Sequence, residues 1–482
     1  MSHVAVRAIG RTPCPKPAGR KLLGVTLAAS LAVTACAPQA DPNAIGGFRQ
    51  SVATGNFQAA TNIASGLAAP DSTGRGTELL WSMNAGAAGL HAQDWQRSIN
   101  MLDGAEDLMR RSEEASFNWG NSYRFGTYDA VMVNAYKSLG MLGRADRDGA
   151  RVELNRMEER QARTVQRFRD EIGAANASAE AQRNAEPGRD QALRNAQGSP
   201  EVREQLQALD RWATYQPFVN PTGTYLRALF LLNSPVPGDA EQARNAFERV
   251  VGISRNNPVV AQDLAAARQA ANGRRGPPQV WVLFENGQSP VFQQLNFTVP
   301  MPVYARGGGV TVRPVTVSMP RMVAQPNAYA GIEVSGQGGR ATTVQVASVE
   351  GVMASEFRTR YNSLLAAAVF EAIAKAALIS GVNAATSAGR GSGSTGMLMV
   401  GILAEIAATA AANVTVSDTR SWYMLPREFQ VARVPVPADG SLRLQAQGGP
   451  GETVTVPTGR SSIVLVKAQN PGSPLTVQVH PL

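Results

Sequence analysis

The chain has 482 residues, 44% of them hydrophobic, so it can bury sizeable cores, and its length suggests two to three domains. The formal net charge is +9, but five basic residues precede Cys36, and without them 41 basic residues stand against 37 acidic ones, a net charge of +4. This mild excess gives no argument for nucleic-acid binding. With two cysteines and three histidines in the whole sequence, neither a metal site nor a cofactor is expected.

Residues 1–35 have the pattern of a secretory signal peptide, with a basic start, an apolar run from Leu22 to Val33 and small residues before the cleavage point. The run is shorter than the about 20 apolar residues that span a bilayer. It ends in Val33-Thr34-Ala35-Cys36, which resembles the bacterial lipobox, whose cysteine receives a diacylglycerol. An ordinary signal peptide that ends near a cysteine is the alternative. We therefore expect the lipidated Cys36 to hold the protein to membrane lipid.

The residue after the lipidated cysteine often decides the membrane of a bacterial lipoprotein. Here it is Ala37, and not the aspartate that favours retention at the inner membrane. The resemblance therefore implies the outer membrane, on its periplasmic face. Residues 36–47 are expected to form the tether.

Residues 48–271 carry apolar residues at helical spacing. Three segments repeat one pattern, in which a turn is followed by a small residue and then by apolar residues four and seven positions later. The small residues are Ala60, Ser98 and Ala243. The pattern resembles degenerate tetratricopeptide repeats, whose stacked helix pairs form a concave surface that binds peptides or other proteins. A generic helical bundle is the alternative, because the spacing between the units is irregular.

Within this region, residues 151–172 predict a long charged helix. Residues 173–200 are rich in Ala, Asn, Gln, Arg and Gly, and we expect them to form a flexible insertion. Two histidines complete the short inventory of possible acid–base groups. His91 is interpreted as a surface or capping residue, and His480 as an exposed one.

Residues 272–278 form a predicted linker, after which the periodicity changes. Short β-prone segments separated by turn residues predict a β-sandwich-like domain over residues 279–482. Residues 351–413 interrupt it with two Ala-rich helices, which we expect to form a hairpin buried against the sandwich. Membrane contact by this hairpin is the alternative, although Glu371, Lys375 and Glu405 make insertion costly. The predicted fold class is α+β and multidomain: tetratricopeptide-like helical repeats followed by the β-sandwich-like domain with its inserted hairpin.

Three blocks together resemble a family of uncharacterised bacterial lipoproteins with tetratricopeptide-like N-terminal regions. They are residues 218–230, residues 280–287 and residues 412–426, and the resemblance covers about residues 48–435. It implies the architecture just described and no particular activity. The last block is the most specific, and it contains Asp418, Arg420 and Trp422.

These three residues are the partner-binding candidates, because arginine and tryptophan are frequent interface hot spots. The structural alternative is an Asp418–Arg420 pair that fastens the hairpin to the sandwich, with Trp422 packed in the seam. No catalytic residue set stands out. We therefore predict a non-catalytic, lipid-anchored periplasmic scaffold that binds an envelope protein through its repeats. The alternative is a membrane-active or pore-associated lipoprotein that uses residues 351–413.

Overall fold

The computed structural model describes residues 41–114, 123–185, 188–213, 220–254, 257–304, 310–387 and 419–482. Cys36, Asp418 and the second helix of the predicted hairpin lie outside these residues. Eleven helices precede the first strand in the part described, in agreement with an α+β chain whose strands come later. They are α1 (Pro42–Ala53), α2 (Phe57–Leu67), α3 (Leu79–His91), α4 (Trp95–Glu114), α5 (Thr127–Gly143), α6 (Arg147–Ala185), α7 (Arg189–Gln197), α8 (Pro200–Trp212), α9 (Pro221–Leu232), α10 (Asp239–Ile253) and α11 (Pro258–Ala271).

Local chemistry sets where many of these helices begin. Side-chain oxygens cap the first backbone N–H groups of four helices that also carry proline in their first turn, where its missing N–H costs nothing. The capping residues are Asp41 for α1, Ser199 for α8, Asn220 for α9 and Asn257 for α11.

The turns within the first three helix pairs have the same backbone geometry. Gly55, Gln93 and Ala145 each adopt a positive φ at the end of a helix. The next residue donates its backbone N–H to the carbonyl five positions earlier, at 2.8 Å for Asn56 and 2.9 Å for both Asp94 and Asp146. This is the Schellman arrangement, in which the left-handed residue ends one helix. The following Asn or Asp is then placed to begin the next helix.

Residues 173–200 differ from the expectation of a flexible insertion, because the described part of this segment is mostly helical. Helix α6 continues to Ala185, and α7 and the start of α8 follow it. Alanine is the best helix former. The prediction of a flexible insertion was wrong because an Ala-, Asn-, Gln- and Gly-rich composition is also typical of linkers. Packing supplies the rest of the order, since Ala192, Leu193 and Ala196 of α7 are buried.

Eleven strands and one helix make up the second half of the described chain. They are β1 (Gln279–Asn286), β2 (Val291–Tyr304), β3 (Val310–Val323), β4 (Ile332–Gly336), β5 (Gly339–Thr342), β6 (Val344–Ser348), α12 (Val349–Ser387), β7 (Glu428–Pro435), β8 (Ser441–Ala446), β9 (Gly451–Thr455), β10 (Ser462–Ala468) and β11 (Thr476–Pro481). A five-stranded sheet has the order β11-β10-β1-β7-β6, and a four-stranded sheet the order β5-β4-β8-β9. Strands β2 and β3 form a separate two-stranded ribbon.

Strand β1 is buried on both sides, so the five-stranded sheet has two packed faces. Val280, Val282 and Phe284 enter an apolar core that includes Ile332 and Leu444 of the four-stranded sheet. On the opposite face of β1, Trp281 contacts Asp263 of α11 and Glu285 contacts Tyr136 of α5. Contacts of this kind join the regions on either side of the predicted linker, and Asp41–Leu482 forms one compact unit.

Helix α12 is the described part of the predicted hairpin. We expected it to pack against the sandwich, but it lies mainly on α6, α7, α8 and the β2–β3 ribbon. Its buried side chains include Phe357, Tyr361, Leu365 and Val369. Among the described residues, no helix combines the length and the apolar character that crossing a bilayer requires.

Candidate functional site

Trp422, a predicted partner-binding residue, is only 1% exposed. Its ring packs edge-on against Tyr136 of α5, with the ring centroids 5.7 Å apart, and its backbone carbonyl accepts from the Ser289 hydroxyl at 3.3 Å. The tryptophan is buried, as in the structural alternative, but it packs on α5 and not between the hairpin and the sandwich. Its burial does not agree with an exposed anchor. Arg420 is partly exposed, and Asp418 lies outside the described residues.

The most concentrated chemistry lies in a buried polar cluster, which we define as Glu285, Lys467, His91 and Tyr136. Glu285 of β1 and Lys467 of β10 are register partners in the parallel β1–β10 pair. The Lys467 ammonium lies 3.2 Å from Glu285 Oε2 and donates to the Met424 carbonyl at 2.9 Å. Strand pairing therefore aligns a carboxylate and an ammonium inside the molecule.

The helices supply the other half of the buried polar cluster. Tyr136 of α5 donates its hydroxyl to Glu285 Oε1 at 2.7 Å. His91, the last residue of α3, places Nε2 at 2.9 Å from Glu285 Oε2. Its Nδ1 lies 3.2 Å from the amide nitrogen of Gln478 on β11. One carboxylate thus holds two helices and two strands together.

The electrostatics of the cluster indicate which form of each group is present. Burial alone would raise the pKa of Glu285, but the Lys467 ammonium and the contacts with His91 and Tyr136 outweigh it and lower that pKa to about 2. Burial lowers the pKa of His91 despite the nearby carboxylate, so the imidazole is neutral at pH 7. A neutral ring has one donor and one acceptor nitrogen. A proton on Nε2 would lie beside Glu285 without an aligned hydrogen bond, and a lone pair on Nδ1 would face the Gln478 amide.

The positions of both histidines correct the expectation of surface residues. His91 and His480 are both buried. His480 stacks edge-on with Trp95 at 5.6 Å between ring centroids. Burial lowers its pKa to about 4, so it too is neutral at pH 7. The ends of strands are often exposed, but the last strand here is covered by α3 and α5.

A second buried group, centred on Asp263 of α11, also ties the helices to the five-stranded sheet. Its carboxylate accepts from the Tyr225 hydroxyl at 2.6 Å, from the Trp281 indole N–H at 2.9 Å and from the Arg433 guanidinium at 3.0 Å. Burial raises the pKa of Asp263 to about 6, against the lowering effect of these three donors. Trp281 belongs to β1 and Arg433 to β7. The sheet therefore meets the helices through polar contacts at both Glu285 and Asp263.

A third cluster lies within the helical region. Lys137 of α5 is surrounded by three carboxylates, with its ammonium 2.7 Å from Asp103, 2.5 Å from Glu106 and 2.9 Å from Glu153. Burial would lower the pKa of Lys137, but these carboxylates raise it. Helices α4, α5 and α6 are thus joined by one ammonium group.

The buried polar cluster contains residue types that serve in acid–base catalysis, but each of its four side chains is sealed from solvent. A general acid or base must come within hydrogen-bond reach of a substrate. In this arrangement the groups contact one another, the Met424 carbonyl and Gln478, and these contacts link the helices to the sheet. Among the described residues, no group of three or more His, Cys, Asp or Glu side chains is placed to hold a metal ion.

Sequence reasoning missed Glu285 and Lys467, although a signal for them exists. Each is the one charged residue near the end of an otherwise apolar strand, in Val280-Trp281-Val282-Leu283-Phe284-Glu285 and in Ile463-Val464-Leu465-Val466-Lys467. A charge in a fully buried strand needs an opposite charge nearby. One acidic and one basic residue in two such strands could have been paired on that ground.

Comparison with known proteins adds no relative. Protein-family models, curated proteins and solved structures all gave no match to the chain.

Proposed function

We propose that the chain is a lipid-anchored scaffold at the periplasmic face of the outer membrane, which binds an envelope protein through its helix pairs and carries out no catalysis. The anchor rests on the lipobox that ends at Cys36. The interpretation of the helices as tetratricopeptide-like draws support from the recurring turn at Gly55, Gln93 and Ala145. The interpretation of the strands as sandwich-like draws support from the apolar core that the two larger sheets share.

The distribution of burial carries the proposal. Every residue of α3 is buried, and nearly every residue of α5. Their partners α4 and α6, and likewise α10, leave one charged face exposed, with Arg110, Arg163 and Arg249 each more than half exposed. In a repeat scaffold the inner face commonly receives the ligand. Here the chain's own five-stranded sheet covers that face, so we assign partner binding to the outward faces of α4, α6 and α10, which we call the outer helix face.

A non-catalytic role draws support from how the acid–base side chains are used. The groups around Glu285, Asp263 and Lys137 are engaged in internal contacts. Each contact spans separate elements, which is what a rigid scaffold needs. An enzyme would need at least one such group to be open to a substrate.

Site-specific photo-cross-linking in intact cells tests the proposal. A photoreactive amino acid replaces Arg110, Arg163 or Arg249 on the outer helix face of the full lipoprotein. Matched control positions are Arg443 and Glu452, exposed residues on the four-stranded sheet. We expect one envelope protein to be captured from the helix positions and lost from the control positions. Equal capture from both sets, or capture of lipid only, would overturn the assignment.

A second arm separates the scaffold from the membrane-active alternative. The Cys36→Ala variant, exported without its lipid, is extracted with alkaline carbonate. The scaffold proposal expects this form in the soluble fraction, because the buried side chains of α12, such as Phe357 and Leu365, pack on protein. Retention of the unlipidated form in the membrane would favour the alternative.

A further inference from the structure

Two carboxyl groups meet where helix α12 crosses the start of α5. Glu356 of α12 accepts the backbone N–H of Thr127 on Oε2 at 3.2 Å. Asp129 of α5 accepts the neighbouring N–H of Gly126 on Oδ2 at 2.8 Å, and also the Tyr123 hydroxyl at 3.0 Å. The two carboxyls therefore hold consecutive amides at one helix start. One of the carboxyls comes from α12, which lies more than 200 residues later in the chain.

The close approach depends on a glycine. A Cβ atom at Gly126 would lie 2.6 Å from Glu356 Oε2, which is too short for any real contact. The carboxyl of Glu356 thus lies directly over bare backbone. A larger residue at position 126 would force the Glu356 carboxyl and the Tyr128 ring to shift.

The second oxygen of each carboxyl lacks a hydrogen-bond donor among the described residues, which disfavours the ionised form. Asp129 Oδ1 and Glu356 Oε1 are buried and have no hydrogen-bond partner among the described residues. Burial raises the pKa of Asp129 to about 7. Burial and the neighbouring Asp129 raise the pKa of Glu356 to about 8, although Arg360 opposes this. Both side chains are therefore partly protonated near neutral pH.

The charged and titratable groups around the pair come from three elements. Tyr123 precedes α5 and Tyr128 lies in its first turn; burial raises both of their pKa values well above the ordinary value, so both stay neutral. Helix α12 contributes Arg360, which stacks on a ring of α6 and lies 3.5 Å from Glu171.

Burial lowers the pKa of Arg360 to about 10, and the positive charges of the nearby Arg124 and Arg167 lower it as well. Arg167 is itself 3.3 Å from Glu171. Arg360 is thus shared with Glu171 and does not fully neutralise Glu356.

We propose that Glu356 and Asp129 form a proton-dependent latch, which holds α12 against the start of α5 while a proton remains on the pair and releases it when both carboxyls ionise. Two like charges side by side in a buried place repel each other, and neither unpartnered oxygen gains a donor. Release loosens the contact of α12 with α5, while Phe357 and the other apolar side chains of α12 stay packed on α6, α7, α8 and the β2–β3 ribbon. The latch therefore makes this one contact depend on pH, independently of any partner of the outer helix face.

The direction with pH follows from the raised pKa values. The unfolded carboxyls lose their protons near pH 4, whereas the docked pair keeps them until about pH 7 to 8. Docking is therefore most stable in acid and weakens as the pH rises through this range. Between about pH 4 and pH 8, opening at the latch should become up to about tenfold more favourable per pH unit for each proton released, and it should level off above pH 8.

Amide hydrogen exchange of the full chain between pH 6 and 9, corrected for intrinsic exchange, tests the latch. We expect the protection of Thr127 and Tyr128 to fall between pH 6 and 8 and to level off above pH 8, while Val282 and Phe284 in the core of β1 stay protected. The Glu356→Gln variant keeps a side-chain oxygen for Thr127 but cannot ionise, so the fall between pH 7 and 8 should be much smaller. The matched control is Glu371→Gln, the same substitution at a partly exposed site of the same helix, which should behave as the unmodified chain.

Two outcomes would overturn the latch. One is constant protection of Thr127 and Tyr128 in the unmodified chain from pH 6 to 9. The other is an undiminished fall in Glu356→Gln. If this variant does not fold, Asp129→Asn replaces it, and the result in the unmodified chain still decides, because it needs no substitution.

Discussion

Replacing Lys467 by methionine should destabilise the protein strongly, because it removes the full positive charge beside Glu285. Both side chains are 0% exposed, and the Nζ–Oε2 distance is 3.2 Å. Methionine has a similar length but no charge. The variant leaves a buried carboxylate with only the Tyr136 hydroxyl and the neutral His91 ring for support.

The expected cost follows from burial. Removing one partner of a buried ion pair costs about 3–5 kcal/mol, since the other charge is left in a place of low polarity. The chain offers a matched control in the ion pair of Lys375 and Glu371 on α12, whose side chains are 68% and 32% exposed. Exposed pairs contribute about 0–1 kcal/mol. Lys375→Met should therefore have little effect.

Urea unfolding, followed by tryptophan fluorescence and by circular dichroism, measures both variants against the unmodified chain. A double variant, Glu285→Gln with Lys467→Met, should be more stable than Lys467→Met alone, because it buries no unpaired charge. The reasoning is refuted if Lys467→Met and Lys375→Met differ by less than about 1 kcal/mol. It is also refuted if the double variant is the least stable of the three.

Three further predictions address packing and pH. Gly104→Ala should cost about 1–3 kcal/mol of stability, since its Cβ would lie 2.5 Å from the Gly76 carbonyl oxygen. Gly252→Ala, whose Cβ would have nothing within 4 Å, should be neutral or slightly stabilising. Thermal unfolding compares the two variants. The buried neutral His480 binds a proton only below about pH 4, so stability should fall as the pH drops from 6.5 to 4, and a His480→Gln variant should lose part of that slope in urea titrations. Trp422→Ala should cost about 3–5 kcal/mol of stability in urea titrations, because the side chain is buried. The fraction that folds should still cross-link from the outer helix face. A variant that is stable but no longer cross-links would contradict the buried role.

The sequence was sufficient to predict the helical region and most strands, because their signals are local. The small residues Ala60, Ser98 and Ala243 are buried as their spacing indicated. Unbroken apolar runs predict buried strands such as β1 and β10. The prediction of a flexible segment was wrong over residues 173–185 because Ala-rich sequence is compatible with both linkers and helices. Contacts with the rest of the chain decide between the two.

The site was less predictable, because it depends on pairings between distant segments. Trp422 was recognised as a notable residue, but its burial follows from Tyr136, nearly 300 residues earlier. Similarly, no local pattern brings His91 to Glu285 or Glu356 to the start of α5. Two mutually exclusive environments, exposed or buried, are compatible with the same short motif, and the tertiary structure selects one.

The parallel pairing of β1 with β10 has a consequence for the order of assembly. The strands are separated by about 180 residues, and β10 supplies the lysine that neutralises Glu285. Until those last segments are available to pair, α3 and α5 lack their cover and Glu285 lacks its counter-ion. Long-range contacts of this kind slow folding and leave apolar surface open in the meantime. Truncation before β10 should therefore leave a species that aggregates or is degraded.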